Sequence, residues 1–462
     1  MSGDTVTIQS DPGNPECGTE SGKRGNGTLW GPGDEPASVV LFRRDGTRFC
    51  LNRYVSGTPL LNANLGFGHS PLRLRCYTIH MLLALAILTV LIWLALLAGW
   101  HGFWRADQRP PLTPEPPAKW PSVIAVVPAR DEAGTIPFSL TGLIEQRYPG
   151  GYEIVLADDS SSDDTVVMAG RLASDAEAKL TVVEAGPLPA GWVGKIWTLH
   201  RGIEEARRHE PDYYWLTDAD IAHKPQVLAG LVAHAEAERL ALASLMAMLP
   251  TRSFWEKLLV PAFIFYFALL YPFRAVNDPA SRIAAAAGGS LLVRRDALEA
   301  IGGIAAIKDA IIDDCALARA VKRSGRRIWI GLAERSRSLR RYRQLADFWS
   351  MVARSAYPEL GYSPLRLAFA LLGLGVAFLA PPLLVLAGGG PALAGLLAWA
   401  LMSWAYAPTV QYHGLSPLWA ITLPVAAVLF AAMTIASAVG YYRGQPAQWR
   451  GRTVGVPDSN RS

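Results

Sequence analysis

The sequence predicts an α/β domain held to a membrane by apolar helices, and three observations carry that prediction. Apolar residues fill 51% of the 462 positions, a rich share for a wholly soluble protein. No Lys, Arg, Asp or Glu occurs in the 76 residues 367–442, which an ordinary soluble domain does not tolerate. Between about 122 and 237, short β-rich runs alternate with helical ones, the layout of an α/β sheet.

Residues 1–76 are rich in Gly, Pro, Ser, Asn and Asp without a sustained apolar period, and read as a disordered extension. Met81 lies at the head of the first apolar run and offers an alternative native start. Residues 77–100 form the first expected transmembrane helix, bracketed by Arg73, Arg75 and Arg105. That run is too long for a signal-peptide core and lacks a small-residue cleavage site, so it reads as a retained anchor. A proline-stiffened linker over 109–121 follows.

The α/β domain spans 101–366. Strands are expected at 122–127, 153–157, 180–183 and 213–217, with helices near 134–146, 164–175, 196–209 and 225–237. Residues 253–273 carry eight aromatic side chains around an apolar core of about 16 residues, short for a span. Lys257 and Arg274 bracket this segment, as expected of a helix lying at the headgroups; an internal core helix is the alternative. Three further spans are expected at 367–387, 391–412 and 417–442, divided by Gly388-Gly389-Gly390 and by His413-Gly414-Leu415-Ser416. A polar tail over 443–462 closes the chain.

The formal net charge is +5, and 32 of the 44 basic residues fall within 101–366. No recognised nucleic-acid module accompanies them, so nucleic acid is not an expected partner; anionic lipid or a nucleotide diphosphate accounts for the charge. Four cysteines without paired spacing indicate neither a zinc site nor a disulfide framework. Neither GxxxxGK[ST] nor GxSxG occurs, which argues against a P-loop hydrolase and an α/β-hydrolase. The histidines lack ligand spacing, so His200, His209, His223 and His234 are expected at the surface or in helix packing.

Ligands of open α/β sheets gather at the carboxyl ends of the strands, where the unusual polar clusters of this sequence fall. Asp218-Ala219-Asp220 places two hard oxygen ligands there, suited to Mg²⁺ or Mn²⁺ bridging a diphosphate; a helix cap is the plainer reading. Asp158-Asp159-Ser160 ends the second strand, where an acid can accept hydrogen bonds from a nucleobase and ribose, while Ser162, Asp163, Asp164 and Thr165 suit helix capping. Arg130, Asp131 and Glu132 sit at the first strand end, with a surface ion pair as the alternative. Lys195, in a Gly-Trp-Val-Gly-Lys loop, can reach a diphosphate as a point charge or simply be solvated. Asp313-Asp314 precedes a helical run and could serve as its cap.

In order and spacing, VVPARDE, DDSSSDDT, LTDAD, then IGG and IIDDCALARAVKRSGRRIWIG resemble the type-A, family-2 glycosyltransferases over about 100–345. GWVGKIWTLHRG and the C-terminal apolar segments look most like the hopanoid-biosynthesis-associated members, and secondarily like carotenoid and ceramide glycosyltransferases. The resemblance implies a Rossmann-like, nucleotide-diphospho-sugar transferase fold. It implies that Asp159 binds the nucleobase, that Asp218 and Asp220 serve diphosphate and metal, and that Asp314 of the pair Asp313-Asp314 is the general base. Pro128, Arg130, Glu132, Asp158 and Lys195 join the expected nucleotide-sugar contacts. Many members carry a Gln or Arg, two residues, then Arg-Trp; here only Arg354 of Met351-Val352-Ala353-Arg354-Ser355 fits, as a diphosphate contact.

The expected activity is therefore an inverting transfer from a nucleotide-sugar donor to a membrane lipid, with the α/β domain on the cytoplasmic face of a bacterial-type inner membrane. A polysaccharide synthase and a non-catalytic membrane scaffold are the alternatives. One span before the domain and three after it would place the tail on the opposite face, whereas Arg443, Arg450 and Arg452 favour the domain's own side. The break at Pro381-Pro382 marks a segment that could fall short of spanning.

Overall fold

The computed structural model describes residues 71–111 and 115–444, with short strand segments at 39–42, 48–51, 447–449 and 452–454. The expected extension over 1–76 and the polar tail lie mostly outside the described residues. Helix α1 (Pro71–Gly99) opens the described chain. Strand β1 (Val123–Ala129) is followed by α2 (Ile136–Ile144), β2 (Tyr152–Asp158), α3 (Thr165–Asp175), β3 (Leu180–Glu184), α4 (Gly194–Arg207) and β4 (Tyr213–Leu216). Next come β5 (Ile221–His223), α5 (Val227–Ala237), β6 (Leu242–Met248), α6 (Phe254–Leu270), α7 (Phe273–Asn277), β7 (Leu291–Arg294) and α8 (Arg295–Ala300). Helix α9 (Asp313–Arg323), β8 (Ile328–Ser338) and α10 (Leu345–Glu359) complete the α/β domain.

The eight strands form one mixed sheet in the order β3-β2-β1-β4-β7-β6-β8-β5. Strands β3, β2, β1 and β4 run parallel, β7 turns antiparallel between β4 and β6, and β5 closes the edge antiparallel to β8. All seven residues of β1 are buried, because helices cover both faces of the sheet. Alternation sends Ile124 and Val126 into one core with α4 and α9, and Val123, Ala125, Val127 and Ala129 into the other with α2 and α5.

Glycine sets one close approach that matters for the site. A Cβ on Gly142 of α2 would stand 2.6 Å from the His223 carbonyl oxygen and 3.0 Å from its nitrogen, both backbone atoms of β5. Gly142→Ala should therefore push α2 off the strand next to the Asp218–Asp220 turn. The expected loss is about 1–3 kcal/mol, read as a lower denaturation midpoint.

Helix α6 begins with a capping box. Ser253 Oγ accepts from the Glu256 amide, and Glu256 accepts in return from the Ser253 amide. Both ends of α6 are tied to the α/β domain: Ser253 lies five residues after β6, and Phe273, just past the far end, is buried in the sheet core.

Among the described residues, four segments are long and apolar enough to cross a membrane. They are 77–99 within α1; α11 (Pro364–Leu374) continued through a π-helical turn into α12 (Ala380–Val385); α13 (Gly389–Tyr412); and 417–442, ending in α14 (Leu423–Tyr442). Trp93 of α1 donates to the Ala377 carbonyl in the π-helical turn at 2.8 Å.

Helix α14 packs alongside α10 and α6. Phe430 meets Phe348 of α10 and Tyr266 of α6, with ring centroids 6.0 and 5.0 Å apart. At the far end the Tyr357 amide donates to Ser437 Oγ at 3.0 Å, and the Tyr357 and Tyr442 hydroxyls are 2.9 Å apart. Tyr271, at the end of α6, donates to Glu359 at the end of α10. The three helices thus run in the same direction.

Candidate active site

The carboxyl ends of β1 and β4, with α4, α9 and Gly288, converge on one small cleft, and the end of β2 lies beside that of β1. Pro128, Lys195, Thr217, Asp218, Gly288, Asp313 and Asp314 line the cleft. The register explains why motifs far apart in sequence meet: Ala129 pairs with Asp158 across β1 and β2, and Val126 with Leu216 across β1 and β4.

Lys195, at the start of α4, is the cation at its centre. Its Nζ stands 2.8 Å from Asp218 Oδ1 and 3.3 Å from Asp313 Oδ2, with only 21% of the side chain exposed. Burial alone would lower its pKa, but Asp218, Asp313 and Asp314 reverse that and raise it. Lys195 is thus held in two ion pairs rather than extended into solvent.

Asp313 and Asp314 occupy the first turn of α9, after Ile312 at the cap position, so neither is the side-chain cap that the sequence allows. Asp314 instead accepts from the Gly288 amide at 2.8 Å and the Cys315 amide at 2.7 Å. Burial first, then the Asp313 charge, push its carboxyl up to about 7, against the pull of Lys195 and both amides. Gly288 lies against both charged groups: a Cβ there would be in ordinary contact, 3.5 Å from Asp314 Oδ2 and from Lys195 Nζ.

Asp218 and Asp220 lie on the turn from β4 into β5, not at a helix start; the next helix, α5, is capped at Gln226. Burial, then Asp218 and Glu132, raise the Asp220 carboxyl to about 6. Such excess negative charge suits a divalent cation. Among the described residues no three His, Cys, Asp or Glu side chains form a complete cage. Two carboxylates with water and substrate phosphates are, however, the usual complement of Mg²⁺. Asp220 and Asp218 are the residues that would hold it.

His223 departs from expectation. It is buried in β5, with Nε2 2.9 Å from Thr217 Oγ1 and Nδ1 2.8 Å from Ser336 Oγ. The Thr217 hydroxyl already donates to the Gly289 carbonyl, so Nε2 carries the imidazole proton and Nδ1 accepts from Ser336. Burial depresses its pKa to about 3, keeping the ring neutral. His223 therefore bolts both ends of the Asp218–Asp220 turn to β8. Neither this role nor that of Gly288 was singled out from the sequence. The nearest signals were a histidine three residues past Asp220 and the small-residue run 284–290.

At the nucleotide end, Arg130 reaches across to Asp159, with Nη1 3.2 Å from Oδ2 and a second bond to the Asp159 carbonyl. This is a pair with one partner fully buried rather than a surface pair. Asp158 accepts from the Ser161 amide and hydroxyl, which holds the turn. Glu132 is buried, its amide donating to Thr165 Oγ1 and its carboxylate accepting from Thr135. Asp163 accepts from the Ala133 and Thr165 amides, joining the two loops. Arg354 lies on α10, outside the cleft lining, yet within electrostatic reach of Asp313, Asp218 and Arg340.

The model of glycosyl transferase family 21 matches residues 78–461. Among solved structures, the chain is similar to a mannosyltransferase from Pyrobaculum calidifontis in complex with GDP-Man and Mn²⁺, at 21% identity and a TM-score of 0.49, over 78% of this chain and 98% of that one. It is also similar to a glucosyl-3-phosphoglycerate synthase from Mycobacterium tuberculosis, at 19% identity and a TM-score of 0.33, over 50% and 76%. A third likeness is S. aureus TarS in complex with UDP-GlcNAc, at 12% identity and a TM-score of 0.32, over 73% and 97%.

Proposed function

This chain belongs to glycosyl transferase family 21, and we propose that its reaction is an inverting transfer of a hexose from a nucleotide-sugar donor to a hydroxyl of a membrane lipid. The observation that carries this reading is the convergence of Asp218, Asp313 and Asp314 on Lys195, in one cleft of a chain with four apolar helices.

Asp314 takes the acceptor hydroxyl's proton as the oxygen attacks the anomeric carbon. The two amides on Asp314 aim its carboxylate, and Asp313 keeps its affinity for a proton high. A single displacement assisted by one base inverts that carbon. Lys195 and Arg354 contact the diphosphate. Asp159, with Arg130, faces the nucleobase, while Pro128, Glu132 and Asp158 shape that end. A divalent cation held by Asp220 and Asp218 would offset charge on the leaving diphosphate.

The apolar helices support a lipid acceptor. The motif resemblance, which lies with family 2 whereas the matching model is that of family 21, favours a hopanoid-type polyol. The cytoplasmic side of a bacterial-type inner membrane follows from the location of nucleotide sugars.

Membranes holding the full chain, incubated with labelled nucleotide sugars and extracted lipids, should yield a lipid carrying one added sugar in a metal-dependent manner. A ladder of products would assign a polysaccharide synthase. Donor binding without product from any lipid would leave a scaffold.

A further inference from the structure

An arginine-rich segment borders the site on its membrane side, and no step of the proposed transfer uses it. Arg335, Arg337, Arg340, Arg341 and Arg343 fall within nine residues at the end of β8 and the loop that follows, and all are exposed, as is Arg252 before α6. Glu334, the one carboxylate between 334 and 343, is already paired with Arg109 at 2.6 Å. None of the six arginines is in ion-pair contact with an acid among the described residues. Arg340 is the one whose charge acts on Asp220.

Their location in the fold identifies the partner. The segment starts where the Tyr412 hydroxyl, at the end of α13, donates to the Ala333 carbonyl. It then passes the site, where the Leu339 amide donates to the Asp220 carbonyl at 2.7 Å. It ends on α6, where the Tyr342 amide donates to Glu256 and Ser253 Oγ donates to the Tyr342 carbonyl. Phe254, 60% exposed, stands beside it against Trp419, and Leu418 is 73% exposed. Exposed arginines bordering exposed apolar side chains at the ends of apolar helices match the headgroup layer of a bilayer, where the guanidinium meets phosphate and the apolar side chain enters the acyl boundary.

We propose that Arg252, Arg337, Arg341 and Arg343 bind the phosphates of anionic phospholipids and seat the mouth of the site on the lipid surface. The inference rests on the membrane-bound reading above, though not on sugar transfer. A basic residue near an anionic surface is worth about fivefold in binding.

The full chain, reconstituted in nanodiscs of mixed phosphatidylcholine and phosphatidylglycerol and released for native mass spectrometry, should retain phosphatidylglycerol preferentially. The combined variant Arg252→Gln, Arg337→Gln, Arg343→Gln should lose that preference by about fivefold per arginine, and the matching Arg→Lys variant should keep it. UDP and GDP affinity in neutral detergent should equal that of the wild type, which also shows that the variant is folded. Unchanged phosphatidylglycerol retention overturns the proposal. A parallel loss of nucleotide affinity overturns it too, by assigning these arginines to the donor. A chain that retains the anionic lipid but transfers no sugar counts against the proposed reaction alone.

Discussion

Asp314→Asn should lower kcat by about 10²–10⁴ while donor affinity stays near that of the wild type. The amide keeps the shape, and its one oxygen can still accept from either the Gly288 or the Cys315 amide, which now donate to different oxygens of Asp314, but it cannot take a proton. The pH profile supplies a second readout. With its carboxyl raised to about 7, Asp314 holds a proton below that value, so wild-type kcat/KM should fall as pH drops through about 7. Stability should move the other way. A carboxyl whose folded pKa exceeds its unfolded value favours folding at low pH, and loses that contribution as pH rises through the folded pKa. Asp314→Asn should therefore unfold at a higher temperature than the wild type at pH 8, and the difference should vanish near pH 4. Donor binding abolished along with turnover would move Asp314 from base to ligand.

Lys195→Met should produce the second large effect, of a different kind. It leaves Asp218, Asp313 and Asp314 facing one another without the ammonium that now lies 2.8 and 3.3 Å from the first two. Lys195 also holds the Asp314 pKa down, so its removal should displace the acid limb of the rate profile to higher pH. Losing a charged contact to the diphosphate should weaken donor binding by roughly 10- to 100-fold, matching about 1.5–3 kcal/mol for a hydrogen bond to a charged group. Calorimetry with the nucleotide and the pH profile check the two parts separately. A profile unmoved by Lys195→Met would remove Lys195 from the Asp314 environment.

The parallel half of the sheet was legible because its strands announce themselves by β-branched runs such as Val123–Ala129 and, after the first, second and fourth, by a polar cluster where the run stops. Lys195 and Asp218 stood out as charged residues in loops next to apolar elements, whereas Asp314 was set apart from a helix cap by the family resemblance. The antiparallel β7 was not read, since Leu291–Arg294 is four residues long and follows a run of alanines and glycines without period. Nor was the buried state of His223. Its partners Thr217 and Ser336 lie six and 113 residues away, and only the closure of β5 on β8 brings the second one near. Asp159 was set apart from Asp158 only by the resemblance; in the structure the pleat and the turn separate them, giving Asp158 to Ser161 and Asp159 to Arg130.

The shared direction of α6, α10 and α14 decides the parity of membrane crossings. Helix α6 leaves and rejoins the α/β domain, so both its ends belong to one face of the bilayer. Helix α14 is lashed to the same course: Trp419, just before it, stands against Phe254, and Tyr442 is bonded to Tyr357 at its close. Although 417–442 is long and apolar enough to cross, a helix so tied is expected to lie along the near face, with α1, the α11–α12 pair and α13 making the crossings. Such an odd count would put the end of α14 on the domain's own side, the side that the positive charges of Arg443, Arg450 and Arg452 in the sequence favour. A protease-cleavable tag after Ser462 should accordingly be cut in vesicles that expose the α/β domain and spared in those of opposite orientation.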